Sequence, residues 1–180
     1  MAAAARHVSV LQHGLRHANH EPEGLRPSEV GVSRDLASQE ADLRAGWLLL
    51  DGLPRRLPVF VPPWNRIGPA TEQALPGWGF PALSGDGPAA ELQVIKGLER
   101  LNVHFDPIQW KGGARFRGVE RTLKSTVAHL RQRRIHGWDE PTGMVTHHLD
   151  TNEETWAFQE ELLQCLDGRV RWVSLTERMG

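Results

Sequence analysis

An α/β fold with a mainly parallel sheet is predicted by three observations. Short apolar runs rich in Val and aromatics recur along the chain, segments of helical period separate them, and polar residues gather directly after the runs. At 180 residues and 39% hydrophobic content, the chain has the length and apolar content of one globular domain, residues 1–180, with a sizeable core.

The elements follow in order. "HVSVLQ" (7–12) reads as the first buried strand, and "SRDLASQEADLRAGWLLLDG" (33–52) as a helix with apolar residues at helical spacing and a Gly stop. "LPVFVPP" (57–63) and "GFPALS" (79–84) read as the next strands, followed by a Gly-rich loop, "SGDGPAAE" (84–91). "LNVHF" (101–105) is a further strand, and "WKGGARFRG" (110–118) a second Gly-rich loop. "VERTLKSTVAHLRQRR" (119–134) is helical, "GMVTHHL" (143–149) extended, and "NEETWAFQEELLQCLDG" (152–168) helical, with Asn152 as N-cap and acidic residues in the first turn. "VRWVSL" (170–175) reads as the last strand. Strand–helix alternation leaves the sheet either open or closed into a barrel.

Composition narrows the partners. Lys and Arg number 21 against 22 Asp and Glu, which gives no basic excess for nucleic acid or an anionic membrane. The start, "MAAAARHVSV", lacks the charged and apolar regions of a secretory signal, and the longest apolar run, Trp47 to Leu50, is far too short to cross a bilayer. A soluble, cytoplasmic protein is expected. The single Cys165 forms neither an internal disulfide nor a thiolate cluster, and is read as a small buried residue of a helix. Any metal must then be held by imidazole and carboxylate.

In parallel α/β folds chemistry collects at the C-terminal ends of strands. His13 follows the first strand, Pro62 to Arg66 the second, Asp106 follows "LNVHF", and His147 and His148 lie near the end of "GMVTHHL". Two imidazoles four residues apart, His13 and His17, can face one ion if the chain turns between them, and neutral imidazole suits Zn²⁺. The spacing alone is unspecific in a chain with nine His.

The ordered set His13-Gly-Leu-Arg-His17, "VPPWNR", "HFDPIQW" and "MVTHH" resembles the polysaccharide deacetylase family, carbohydrate esterases that remove acetyl groups from sugars, and within it a bacterial polysaccharide deacetylase-like branch. The resemblance runs from about residue 8 to the C-terminus. It implies a distorted (β/α) barrel, a divalent metal, usually zinc, and an acetylated carbohydrate substrate. By the same resemblance His13 and His17 are metal ligands, Pro63 and Trp64 form part of a groove wall, and Asp106 and Trp110 brace the site. His147 takes the place of the general acid, with Arg66 standing in for an Arg that the family puts before Pro63, where this chain has Val61. His20 lies beyond the metal-ligand spacing, and His148 is taken as the neighbour facing away.

The family's Asp-Asp pair, its base and third metal ligand, lies on a strand ahead of the two histidines. Here no Asp or Glu precedes His13, and the first acidic residue is Glu21. The expectation is therefore a chain lacking the family's first strand and helix, with "MAAAAR" as the tail of that helix, and one protein ligand short of a catalytic zinc site. Two functions stay open: a metal-dependent deacetylase that is inactive as given, or a non-catalytic carbohydrate-binding or interaction domain built on the same groove.

Overall fold

The structure, a computed structural model, describes residues 8–179. His7, the first residue of the predicted strand 7–12, and the "MAAAAR" segment lie outside the described residues. The chain is mixed α/β and divides into two compact units: one takes the chain up to Asp86 together with Leu92–Leu101, the other takes Gly87–Glu91 and the chain from Asn102 onward.

The first unit is built on a parallel sheet in the order β1 (Val10–Gln12), β2 (Arg56–Phe60), β3 (Ala82–Leu83), β4 (Glu99–Arg100). Every neighbouring pair is parallel, so each strand returns by a crossover. The first crossover carries α1 (Leu36–Leu49), whose start is fixed by Asp35 accepting from the Ser38 amide at 2.8 Å. The second carries α2 (Pro69–Ala74), with Pro at its first turn, where a missing N–H costs nothing. Val30, Leu43, Phe60, Leu75, Phe80 and Leu83 form the buried core, with Trp47 and Trp78 packed against it. Two buried polar residues join the helices to the chain before α1: Gln39 donates to the carbonyls of Gly31 and Arg34, and accepts from Thr71 at 2.8 Å. Satisfied in this way, they fix one arrangement of the loop that precedes α1.

The second unit holds the hairpin β5 (Ile108–Gln109) and β6 (Arg115–Phe116), α3 (Val119–His136), α4 (Glu153–Leu166) and α5 (Leu175–Arg178). α3 ends on Gly137, whose φ of 66° supplies the left-handed cap. α4 starts on Asn152, which accepts from the Thr155 amide at 3.0 Å as the sequence predicts. Its apolar core is small, with Ile108 and Phe158 buried and Phe116 packed on Phe158. Thr122, His129, Thr155 and Gln159 are buried beside them, so much of this interior is polar and depends on hydrogen bonding.

Four expectations change. The sheet's fourth strand is Glu99–Arg100 rather than 101–105; Arg100 pairs with Glu72, which lets a charged residue sit in a partly buried strand. Residues 143–149 contribute only a parallel bridge between Phe105 and Met144. Segment 170–175 is no strand: Val170 and Trp172 are exposed, and Ser174 with Glu177 forms a capping box that opens α5. Cys165 lies on α4 as read, but exposed. Among the described residues no helix is long and apolar enough to cross a membrane.

Candidate functional site

In the first unit the chain leaves β1 directly into His13. Its Nδ1 lies 2.9 Å from the Val61 carbonyl. A carbonyl only accepts, so Nδ1 carries the proton and Nε2 presents a lone pair, the tautomer a metal ligand requires. His17 follows with φ of 53°, a conformation few side chains adopt without support. The support is Glu29, 2% exposed, whose carboxylate accepts from the amides of Leu15, Arg16 and His17 at 3.1, 2.8 and 3.2 Å. Gly14, with φ of 67°, lies so near this carboxylate that a Cβ there would strike it.

The loop after β2 supplies the other wall. Trp64, with φ of 57°, lays its ring 4.2 Å from that of His17, and the His17 ring stands 5.1 Å from His13 at an interplanar angle of 59°. Left-handed backbone at both His17 and Trp64 is strain held in place where their rings meet. Pro63 is buried, and the Arg66 guanidinium donates to the Pro27 carbonyl at 3.0 Å, which ties down the loop. His20 is exposed, its amide bonded to the Ser28 carbonyl.

Glu29→Gln puts an amide donor against backbone donors. The expected result is a loss of about 1–3 kcal/mol in urea unfolding, with faster hydrogen exchange at the amides of residues 15–17.

In the second unit the parallel bridge places Asp106 and His147 side by side. Asp106 Oδ1 accepts from the Ile108 amide at 2.8 Å, and Oδ2 accepts from the Trp110 indole N–H at 2.9 Å. His147 Nε2 lies 3.1 Å from the same Oδ2. The carboxylate thus orients the ring, assigns Nε2 the proton toward Asp106, and leaves Nδ1 as the atom presented elsewhere. Trp110 meets the His147 ring edge to face at 4.7 Å and 86°. His148, next in sequence, is exposed.

A second cluster in this unit has no counterpart in the sequence reading. The side chains of His104 and His129 are 2% and 3% exposed and stack 3.5 Å apart at 16°. Glu140 Oε1 lies 3.2 Å from His129 Nε2, and Oε2 lies 3.5 Å from His104 Nε2 and accepts from the Ala89 amide at 2.7 Å. The Gly143 amide donates to His104 Nδ1 at 3.0 Å, so the neutral ring carries its proton on Nε2, toward Glu140. Thr142 Oγ1 receives the Arg133 guanidinium at 3.2 Å and stands 3.0 Å from His129 Nδ1, to which its hydroxyl donates; His129 also keeps its proton on Nε2. Burial, and then the neighbouring His129, push the His104 pKa down from 6.5 to about 4. Burial raises the Glu140 pKa, but the Ala89 amide and the two imidazoles outweigh it and hold the group below its ordinary value.

The donor atoms of His104, His129 and Glu140 lie within 4.8 Å of one another, a spacing at which such a group could hold a metal ion. An imidazole offers its lone pair in the ring plane, however, and two near-parallel rings aim theirs along planes that do not meet at one ion. Both Nε2 atoms also carry protons. Holding an ion here would require the rings to unstack and the Gly143 amide to release Nδ1. The tilted His13 and His17 rings have no such obstacle, though among the described residues no third His, Cys, Asp or Glu completes a group with them.

At Gly143 two stretches of backbone pass close together: a Cβ would fall 2.7 Å from the Asn102 carbonyl oxygen. Gly143→Ala is expected to destabilise by about 1–3 kcal/mol in urea unfolding, because backbone rather than a mobile side chain must yield.

Comparison with protein-family models, with curated proteins and with solved structures finds no match.

Proposed function

We propose that the chain is a metal-dependent hydrolase of the polysaccharide deacetylase type, which removes acetyl groups from a polysaccharide or amino sugar. The observation that carries this reading is the Asp106–His147 pair: two residues 41 positions apart, given the brace and acid roles by the resemblance, share a hydrogen bond of 3.1 Å beneath Trp110. His13 and His17 are the metal ligands in this reading, with zinc as the metal, and the tautomer fixed by the Val61 carbonyl suits His13 to that role. The sheet order β1-β2-β3-β4, parallel with no reversal, supports a barrel-type framework over a doubly wound one.

When bound, the ion supplies polarisation of the acetyl carbonyl and a more acidic water. The proton of that water would go to the carboxylate base of the family's Asp-Asp pair, for which this chain shows no counterpart ahead of His13; the chain's own residues serve the leaving group and the sugar. His147, protonated, gives a proton from Nδ1 to the leaving nitrogen or oxygen of the sugar, and Asp106 stabilises the imidazolium through Nε2. Trp64 and Trp110 offer ring faces suited to a sugar.

A second reading, a carbohydrate-binding domain without hydrolysis, is favoured by one observation: Glu29, the carboxylate bonded to the loop that carries His17, spends its oxygens on three backbone amides. Incubation of the zinc-loaded protein with acetylated chito-oligosaccharides, with acetate release and ligand binding measured side by side, separates the two. Acetate release supports the hydrolase, binding without release supports the second reading, and neither contradicts both.

A further inference from the structure

We propose that Glu140 is a positioning residue: by bonding the His104 and His129 imidazoles and the Ala89 amide, it holds segment 104–106 against segment 143–147 in the register that pairs Asp106 with His147. The inference rests on the acid role given to His147 above. It deepens that role by assigning its geometry to a buried cluster that itself touches neither Asp106 nor His147.

Two short stretches of chain connect the cluster to the pair. His104 and Gly143 exchange two bonds, the His104 amide to the Gly143 carbonyl at 2.7 Å and the Gly143 amide to His104 Nδ1 at 3.0 Å. One residue further on, the Val145 amide donates to the Phe105 carbonyl at 3.1 Å. Asp106 lies two residues beyond His104, and His147 four beyond Gly143, so the ladder ends where the pair begins. The ladder is tight, since Gly143 leaves no room for a Cβ against Asn102. What fixes the His104 ring at its head is Glu140, reached by both imidazoles, with Arg133 and Thr142 closing the far side of His129. The His104 Nε2 is buried and makes no hydrogen bond of good geometry; the Glu140 carboxylate, 3.5 Å away, is the acceptor it faces. A neutral amide at position 140 cannot accept from both rings and from Ala89 together.

The reporter is the Trp110 indole N–H, bonded to Asp106 Oδ2. Its resonance in the full chain, assigned by its absence from Trp110→Phe, is compared in wild type, Glu140→Gln and Asp106→Asn. The expected result is a Glu140→Gln signal moved at least halfway to its Asp106→Asn position. Where acetate release is measured, kcat is expected to fall on the order of 10–10²-fold with KM unchanged, and Glu140→Asp to recover part of the loss. Should Glu140→Gln not fold, Thr142→Val, which removes the hydroxyl that meets His129 and Arg133, is expected to move the indole in the same direction by less. A folded Glu140→Gln or Thr142→Val with the indole unmoved overturns the proposal. If wild type releases no acetate, the indole comparison still decides the positioning role, and the hydrolase reading alone falls.

Discussion

With a carboxylate base in place for the water, acetate release is expected to fall by a factor on the order of 10²–10⁴ when His147 is replaced by alanine, the range for losing a general acid, and to change far less in His148→Ala. The two histidines are adjacent but differently held: His147 Nε2 is fixed on Asp106 and its ring abuts Trp110, whereas His148 is exposed. Asp106→Asn is expected to reduce the rate comparably, since the amide both removes the charge that stabilises the imidazolium and can offer Nε2 an N–H in place of a lone pair, which reverses the tautomer. A pH–rate profile on the same variants is the check. Equal losses in His147→Ala and His148→Ala, or none in either, remove His147 from the acid role.

The second large effect is on stability. Glu140→Ala leaves two imidazole N–H groups and the Ala89 amide without their acceptor, and is expected to destabilise by roughly 3 kcal/mol. In wild type the same cluster sets an acid limit. His104 is neutral in the fold, with its pKa lowered from 6.5 to about 4, so between those values the unfolded chain binds a proton that the folded chain refuses. Stability contributed by the neutral ring is complete above about pH 6.5 and is lost as pH falls toward 4, by roughly 3 kcal/mol at most. Glu140 acts in the same sense, because its lowered pKa contributes stability above its ordinary value that disappears on acidification. Urea midpoints at pH 7.5, 5.5 and 4.5 are expected to fall in that order; a midpoint constant from 7.5 to 4.5 contradicts a neutral, buried His104.

The parts legible in the sequence were those with a local signature. Asn152 and the acidic residues after it mark a helix start in any context, and the structure caps α4 there. Gln12 and Phe60 end apolar runs, and their strands put His13 and the Trp64 loop at neighbouring C-terminal ends, as parallel topology dictates. The Asp106–His147 contact was reached through motif order, since nothing local joins residues 41 apart. The His104–His129–Glu140 cluster had no such signature: its members lie 25 and 11 positions apart, on an irregular segment, a helix and a loop, and only tertiary packing assembles them. One cue was present, a His amid the apolar residues of "NVHF" and another in "VAHL", since a histidine at such a position needs a buried partner. For 170–175 the reading rests on the apolar run alone, whereas in the chain a Ser174–Glu177 capping box prevails, and among the described residues no strand covers Val170 or Trp172.

The proposed function rests on metal binding through His13 and His17 and not through the stacked cluster. Isothermal titration of Zn²⁺ into wild type, His13→Ala, His17→Ala, His129→Gln and Glu140→Gln tests it most directly. One ion per chain is expected in wild type, lost in both of the first two variants and retained in the last two. Zinc retained by His13→Ala and His17→Ala but lost in His129→Gln and Glu140→Gln would contradict it, and would place the metal between His104, His129 and Glu140.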